Sequence, residues 1–468
     1  MEERKKRRRG STKKRKKDYK YTKYKIAAFS VCVMLIALIG LMFPLRPKES
    51  KLEKRVLTRF PSFSVESFLN GEFFNGVSTW YADTFPFREQ LLAGNTKFRS
   101  LYGIQNNQIY GSMEKTDNIP KERIKLTDIL LPSTKMRMED LDNEIKAAIE
   151  TQRAADAANG GAKRREITKV PEQVGTVYVS GDTAFSLYGF TENAANAYID
   201  AISALANKVE DDVHIYDIVV PISSGIYLDE KLQKELGCSD QQEAIQYIYE
   251  NMDEKVKTVD AFSILKKHSD EYLYYRTDHH WTPLGAYYTY VQLMRSMGKT
   301  PTSLAEYQTM TFDNFIGTLY SASNQAPALA EHPDTITAYI PMATNDMTFT
   351  DTNGDTMDYK IIYDVSEWNN SSKYNCFIGG DQPYSVIDNP LLSDGSSCVV
   401  IKESFGNCFV PFLVDHYDKV YVVDYRYYPE GLTALIQDKN IDDVIFINNI
   451  AAATTSSLVN NIAEIISY

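Results

Sequence analysis

An α/β domain built on a mainly parallel sheet, held outside the cytoplasm by one N-terminal membrane span, is the architecture this sequence predicts. Three observations predict it. From residue 175 onward, β-branched and aromatic runs alternate with helical patterns, which is how buried parallel strands and their crossover helices read. Residues 26–43, "IAAFSVCVMLIALIGLMF", are 18 residues without a charge. The charge is also split: residues 1–25 carry 14 Lys/Arg against 3 Asp/Glu, or +11, while the rest of the chain carries −22.

A basic tail ahead of an acidic body fits nucleic-acid binding when taken alone. The segment that follows assigns the tail another role. Eighteen helical residues at ~1.5 Å each span roughly 27 Å, enough for a hydrocarbon core. The basic flank then orients the span, with residues 1–25 in the cytoplasm and everything after residue 43 outside. A cleaved signal peptide fits less well, because the n-region is long and no A-x-A site follows. Residues 44–100 read as a juxtamembrane amphipathic segment, rich in Phe from Phe60 to Phe87, that packs on the body or near the lipid surface. Residues 101–468 form the extracytoplasmic domain. Within it, residues 135–170 read as an exposed helical insertion: Leu141, Ile145, Ala148 and Ile149 share one side, and Asn159-Gly160-Gly161 stops the helix.

The strand candidates are 176–181, 213–221, 272–275, 376–380, 398–404, 419–425 and 443–449, with helical patterns over 194–208, 240–252, 283–297 and 431–438. Two strand-like runs in 347–364 flank Asn353-Gly354, a strong hairpin signal. Asp351, Asn353 and Asp355 imitate the start of a calcium loop there, but the glycine is misplaced and the twelfth position is Ile362, which favours a turn. A hydrophobic content of 43% and 32 tyrosines support a large core. Of five cysteines, Cys32 lies in the span and Cys238, Cys376, Cys398 and Cys408 lie outside. No C-x-x-C pair signals zinc, and disulfides and free buried thiols both stay open for the four.

The chemistry gathers in "YYRTDHHWTPLGAYYTY", residues 274–290. Thr282-Pro283 reads as an N-cap followed by Pro at the first helical position. Asp278, His279 and His280 therefore sit in a loop between a strand and a helix. Alternate residues of an extended segment share a face, so Asp278 can hold the Nδ1–H of His280 and leave Nε2 as a base. The plainer alternative is a capping turn with locally satisfied histidines. A metal site ranks low because His214, His268, His332 and His416 lack ligand spacing. A nucleophile comes from "CVVIKESFG", where Ser404 follows a strand at a tight turn; alone, Ser404 would read as a helix cap. Thr183 in "GDTAFS" and Cys408 are lesser rivals. Gly380, Asn407 and Arg426 are candidates for oxyanion or substrate binding, although Arg426 also reads as a structural ion pair.

At these residues the chain resembles the DHHW protein family, and through it the periplasmic alginate O-acetyltransferases of the SGNH-hydrolase superfamily. The likeness rests on "EKRVLTRFPSF", "YADTFPFR", "VVPISSGIY", "TDHHW", "FIGTLYS" and the chain from Gly379 on. It implies an SGNH-hydrolase-like three-layer sandwich with Asp278 orienting, His280 as base and Ser404 as nucleophile. It also implies a membrane-anchored O-acetyltransferase that moves an acetyl group through an acyl-serine to a cell-envelope polysaccharide, beside a membrane-bound O-acyltransferase. No cofactor, metal or nucleic acid is implied. Two alternatives stay open: an esterase of the same fold, and a non-enzymatic glycan-binding envelope protein. The chain departs from the pattern in two places, with His279 at a variable position and Glu403 where the relatives more often have Asp.

Overall fold

The computed structural model describes residues 175–468 throughout and, ahead of them, residues 23–31, 34, 46–50, 55–64, 68, 72–88, 90–91, 108–111, 113, 116–121 and 123. The helical insertion expected over 135–170 lies outside the described residues. Of the span expected over 26–43, residues 26–31 and 34 are described, as helix. Among the described residues no helix is long and apolar enough to cross a membrane.

The chain divides into two compact units, Met1–Phe98 and Arg99–Tyr468. In the first, a short antiparallel pair (Glu49–Ser50 with Arg55–Val56) precedes a helix over Glu72–Asp83. Arg46 lies over the Trp80 ring, 3.9 Å from its centroid, and donates to Thr84 Oγ1 at 2.6 Å. Asp83 accepts both the N–H and the hydroxyl of Thr58.

The second unit is organised by an eight-stranded sheet. Its strands are β1 His214–Val220, β2 Val256–Thr258, β3 Asp346–Thr350, β4 Thr356–Lys360, β5 Tyr384–Asp388, β6 Ser397–Lys402, β7 Lys419–Asp424 and β8 Asp443–Asn449. They lie in the order β4-β3-β5-β7-β6-β8-β1-β2. The five from β7 to β2 are parallel, and β5, β3 and β4 extend them as an antiparallel edge. Every residue of β6 and β8 is buried. Strands with both faces buried need cover on both sides, which is the three-layer arrangement. One helical group is α1 Glu192–Ala206, α2 Gln241–Glu250 and α6 Ser456–Ser467; another is α3 Ala261–Lys267 and α4 Pro283–Ser296, while α5 Leu432–Lys439 carries the chain from β7 to β8.

The chain leaves β6 for β7 on one side and then reaches β8 on the other. The strand order therefore reverses at β6, and the C-terminal end of such a strand is where a doubly wound sheet opens a crevice.

Several expected elements differ. Residues 176–181 form a strand, Val177–Ser180, but it belongs to a separate antiparallel sheet with Gln108–Tyr110 and Thr183–Ser186. "YLYY" makes only an isolated bridge, Tyr274 with Trp281. "CFIGG" is not a strand: Ile378, Gly379 and Gly380 all take positive φ, at 45°, 69° and 79°, which no strand tolerates. The hairpin over 347–364 forms as expected. Asp351 Oδ1 accepts the N–H groups of Asn353 and Asp355, and Gly354 takes φ +90° in the turn. Strands Gln308–Phe315 and Asp334–Ile340, paired antiparallel, and helix α6 had no sequence expectation.

Deep in the core, Asp217 on β1 accepts the Tyr198 hydroxyl at 2.6 Å, and that hydroxyl accepts Asn448 Nδ2 of β8 at 3.2 Å. Asp217 Oδ2 and Asn448 Oδ1 are both buried without a hydrogen-bond partner among the described residues. Burial pushes the Asp217 carboxyl up to about 7, against the lowering effect of its bonds from Tyr198 and the Ile218 amide. Folding thus raises this group above its ordinary value near 3.8. Between the two values the folded chain holds a proton that the unfolded chain has released, so stability falls as pH rises from about 4 to about 7. A shift of this size corresponds to on the order of 4 kcal/mol. Asp217→Asn is expected to flatten that slope in urea-unfolding midpoints and to raise the midpoint at pH 8. An unchanged slope would contradict the assignment.

Candidate active site

Strand β6 delivers Glu403 and Ser404 to the crevice. Glu403 closes the strand and caps the turn. Its Oε2 accepts the Phe405 N–H at 2.9 Å, and its Oε1 accepts the backbone N–H and the side-chain amide of Asn449 at 2.9 and 3.1 Å. One buried carboxylate thus joins the ends of β6 and β8 and starts the 3₁₀ helix Ser404–Cys408. The sequence anticipated a helical segment here. The structure makes it two 3₁₀ stretches, Ser404–Cys408 and Val410–His416, with Pro411 near the start of the second.

The loop bearing Asp278 is pinned from three sides. Tyr275 N–H donates to His280 O at 3.2 Å and Thr282 N–H to Leu273 O at 2.8 Å, closing a narrow turn. Trp281, fully buried, donates its indole N–H to Phe405 O at 2.9 Å and so fixes the loop to the Ser404 turn. Buried Asp334 accepts the N–H groups of Arg276 and Thr277 at 2.9 and 2.8 Å, the Thr277 hydroxyl at 2.5 Å, and the Tyr272 hydroxyl. The Thr282 cap and Pro283 then open α4 as the sequence predicts.

These constraints bring the three expected residues together. His280 Nε2 lies 2.6 Å from Ser404 Oγ, and His280 Nδ1 lies 2.5 Å from Asp278 Oδ1. All three are buried. Asp278 Oδ1 also accepts the His280 backbone N–H at 3.0 Å, while Oδ2 accepts the N–H and hydroxyl of Thr318 at 2.8 and 3.0 Å. Burial alone would raise the Asp278 carboxyl. The imidazoles of His280 and His279, with the bonds from His280 and Thr318, hold it well below the usual carboxylate range. An ionised Asp278 is acceptor-only, so His280 Nδ1 carries the hydrogen and Nε2 is the acceptor facing Ser404. A serine hydroxyl so placed can pass its proton to the imidazole as Oγ attacks a carbonyl carbon.

Four contributors, Tyr374, Thr318, Gly317 and Asp334, had no role expected from the sequence. Tyr374 stacks on His280 with centroids 3.9 Å apart and planes at 12°, and donates to Ser404 O at 3.1 Å. Thr318 supplies two of the Asp278 bonds. Gly317 precedes it because a Cβ there would lie 2.1 Å from Asp278 Oδ2. Gly317 and Thr318 lie within "FIGTLYS", one of the stretches that carried the family resemblance, so a signal for them existed. Tyr374 and Asp334 had none.

The accessory candidates behave differently. Gly380 is not set up as an oxyanion donor: its N–H donates to Phe377 O at 2.9 Å. What its left-handed segment presents is the next residue, Asp381. Asn407 Nδ2 donates to Asp381 Oδ1 at 3.0 Å. Arg426 is a structural ion pair, with Nε and Nη2 on Asp424 at 2.8 and 2.7 Å and Nη2 also 3.0 Å from Asp381. Lys402, fully buried, meets Asp424 at 2.9 Å in the same network. Buried charges so matched brace the ends of β6 and β7.

Thr183 lies within the strand Thr183–Ser186, and its hydroxyl bonds Asp182 at 3.1 Å. Burial pushes the Cys408 thiol up to about 12, far from a reactive thiolate. Cys238, Cys376, Cys398 and Cys408 are free thiols. Ligand-capable atoms of Asp278, His279 and His280 lie within 4.8 Å of one another, but both His280 nitrogens already serve Asp278 and Ser404.

Comparison with known proteins agrees with this fold. A crystal structure of a DHHW family protein from Eubacterium siraeum matches at a TM-score of 0.56 and 29% identity, over 64% of this chain and 98% of that one. The structure of Bacillus cereus PatB1 matches at 0.51 and 21%, over 60% of this chain and 97% of the other. PatB1 with a sulfonyl adduct matches at 0.50 and 20%, over 60% and 95%. No curated protein matches the chain. The family model described as "DHHW protein" matches residues 53–423, which is most of the sequence. On that match, the chain belongs to the DHHW protein family.

Proposed function

We propose that this protein is an O-acetyltransferase with Ser404 as nucleophile, His280 as general base and Asp278 as the orienting carboxylate. The observation that carries the proposal is the continuous contact from Ser404 Oγ through His280 to Asp278, at 2.6 and 2.5 Å, at the C-terminal end of β6. Ser404 attacks the carbonyl carbon of an acetyl ester while His280 Nε2 takes its proton. The proton then passes to the leaving oxygen, and an acetyl-serine remains. In the second half, His280 removes a proton from a hydroxyl of the acceptor, which attacks the acetyl carbon and frees Ser404.

The acceptor in this reading is a cell-envelope polysaccharide, and the donor is supplied through a membrane-bound O-acyltransferase. In the same reading, the basic tail stays in the cytoplasm and apolar residues 26–43 anchor the site outside it, near that donor. Support comes from the family resemblance and the charge split, together with the site geometry. The test is an acceptor experiment. Purified full-length protein is given a chromogenic acetyl ester with and without envelope polysaccharide. Acetyl groups appearing on the glycan, with turnover rising as glycan is added, is the expected result. Acetate release at a rate indifferent to glycan would make the protein an esterase instead. No acetyl-ester turnover in either arm would favour a binding protein.

A further inference from the structure

The other histidine of the pair, His279, has a definite hydrogen-bond direction. His279 Nδ1 lies 2.6 Å from Thr318 Oγ1. The Thr318 hydroxyl has one hydrogen, and its bond to Asp278 Oδ2 at 3.0 Å uses it, because an ionised carboxylate can only accept. Thr318 Oγ1 must therefore accept from His279, and Nδ1 of His279 must carry the hydrogen. Both imidazoles thus point a Nδ1–H toward one carboxylate. His280 reaches Oδ1 directly, and His279 reaches Oδ2 through the Thr318 hydroxyl.

The rings themselves are also in contact. Their centroids are 3.8 Å apart at 38°, and Phe405 lies 6.1 Å from His279 and 5.4 Å from His280. His280 is thereby held between Tyr374 and His279, and Asp278 is held from both oxygens. The direct contact between His279 Nδ1 and Asp278 Oδ1 is 3.9 Å, too long for a hydrogen bond. Thr318 is accordingly the necessary intermediary. The missing Cβ at Gly317 lets the Thr318 backbone come close enough to donate as well.

We infer that His279 is a positioning residue: through the Thr318 hydroxyl it fixes the carboxylate of Asp278, and so the orientation of the His280 base. The inference rests on the reading of Ser404 as nucleophile, and it assigns work to the residue that departs from the pattern of the acetyltransferase relatives.

A double-mutant cycle tests it. The acetylation rate of Ser404 by p-nitrophenyl acetate is measured in the full-length protein, in His279→Ala, in Thr318→Val and in the double variant. A hydrogen bond to a charged group carries a factor of about 10 to 100. His279→Ala is expected to slow acetylation by about that factor. Thr318→Val is expected to slow it at least as much, and the double variant no more than Thr318→Val alone. Thr318→Ser, which keeps the hydroxyl, is expected to restore the rate. The downfield proton resonance of the His280–Asp278 bond is expected to shift in His279→Ala and return in His279→Asn, whose amide can donate to Thr318.

Equal losses from His279→Ala in the wild-type and Thr318→Val backgrounds would overturn the inference, as would a resonance that does not move. If His279→Ala fails to fold, His279→Asn and His279→Phe decide it. The asparagine, which can still donate to Thr318 Oγ1, is expected to keep the rate and the resonance near wild type while the phenylalanine loses both, and equal losses in the two variants would overturn the inference. Ser404→Ala, run in parallel, separates the two claims. Acetylation that survives that change removes the nucleophile reading, whereas the resonance still reports whether His279 acts on the pair.

Discussion

Ser404→Ala is expected to lower acetyl-ester turnover by a factor of about 10⁴ to 10⁶, the range that loss of a triad nucleophile produces. The size follows from the way the site is assembled. Ser404 Oγ is buried, 2.6 Å from the only imidazole nitrogen aimed at it among the described contacts, and Glu403 and Trp281 fix the turn that presents it. Alanine removes the attacking atom, and with it the hydroxyl's 3.2 Å bond to Glu403 Oε2, and leaves the rest of that scaffold in place. Glu403 still accepts the Phe405 N–H, and Trp281 still donates to Phe405 O. The thermal midpoint should consequently stay near wild type while activity is lost. His280→Ala should cost a comparable factor, and the double variant little more than either, because the two residues act as one unit. Turnover assays of the three purified variants, alongside their melting curves, check both statements.

Asp278→Asn is the second large effect, expected at about 10⁴ in turnover. The substitution is nearly isosteric, so the loss comes from hydrogen-bond polarity. An asparagine at 278 offers one carbonyl oxygen and one amide. Thr318 presents two donors and His280 two more, so four donors that now meet an ionised carboxylate would meet a single acceptor. Where the amide faces His280 Nδ1, the imidazole must carry its hydrogen on Nε2, and it can no longer take the Ser404 proton. The same change has a stability signature with a definite sign. The imidazoles and hydrogen bonds hold the folded Asp278 carboxyl below its ordinary value near 3.8 despite its burial. The stability this gives is present above that value and lost as pH falls below it. The wild type should therefore be the more acid-sensitive of the two, measured as the fall in unfolding midpoint between pH 5 and pH 3. Equal slopes for wild type and Asp278→Asn would argue that the carboxyl is not held ionised.

The parts of this molecule that the sequence made legible are those where local pattern and final environment agree. The parallel strands β1, β6, β7 and β8 read as continuous β-branched runs because both of their faces are buried. The Asn353-Gly354 turn and the Thr282-Pro283 helix start are backbone chemistry written into two adjacent residues. "YLYY" and "CFIGG" misled for a shared reason. Tyr274, Tyr275, Cys376 and Phe377 are all buried in the core, and a buried loop with that content has the composition of a strand. Residues 176–181 form a strand, but nothing local says which sheet receives it.

The site divides in the same way. Asp278, His280 and Ser404 could be paired because a D-x-H loop ahead of a helix start and a serine after a strand end each supplied part of a familiar constellation. Thr318, Tyr374 and Asp334 reach the site from segments distant in sequence, so no spacing marks them. Gly380 was drawn to the site by its place after an apolar run, yet its positive φ serves to set Asp381 against Arg426 and Asn407.

In this mechanism Ser404 carries the acyl group. Mass analysis of peptides from the full-length protein, quenched in acid within the first turnover of p-nitrophenyl acetate, tests it most directly. One acetyl group on the peptide containing Ser404, absent from Ser404→Ala and much reduced in His280→Ala, is the expected result. An unmodified Ser404 peptide during active turnover, or an acetyl group that persists in Ser404→Ala, would contradict the account.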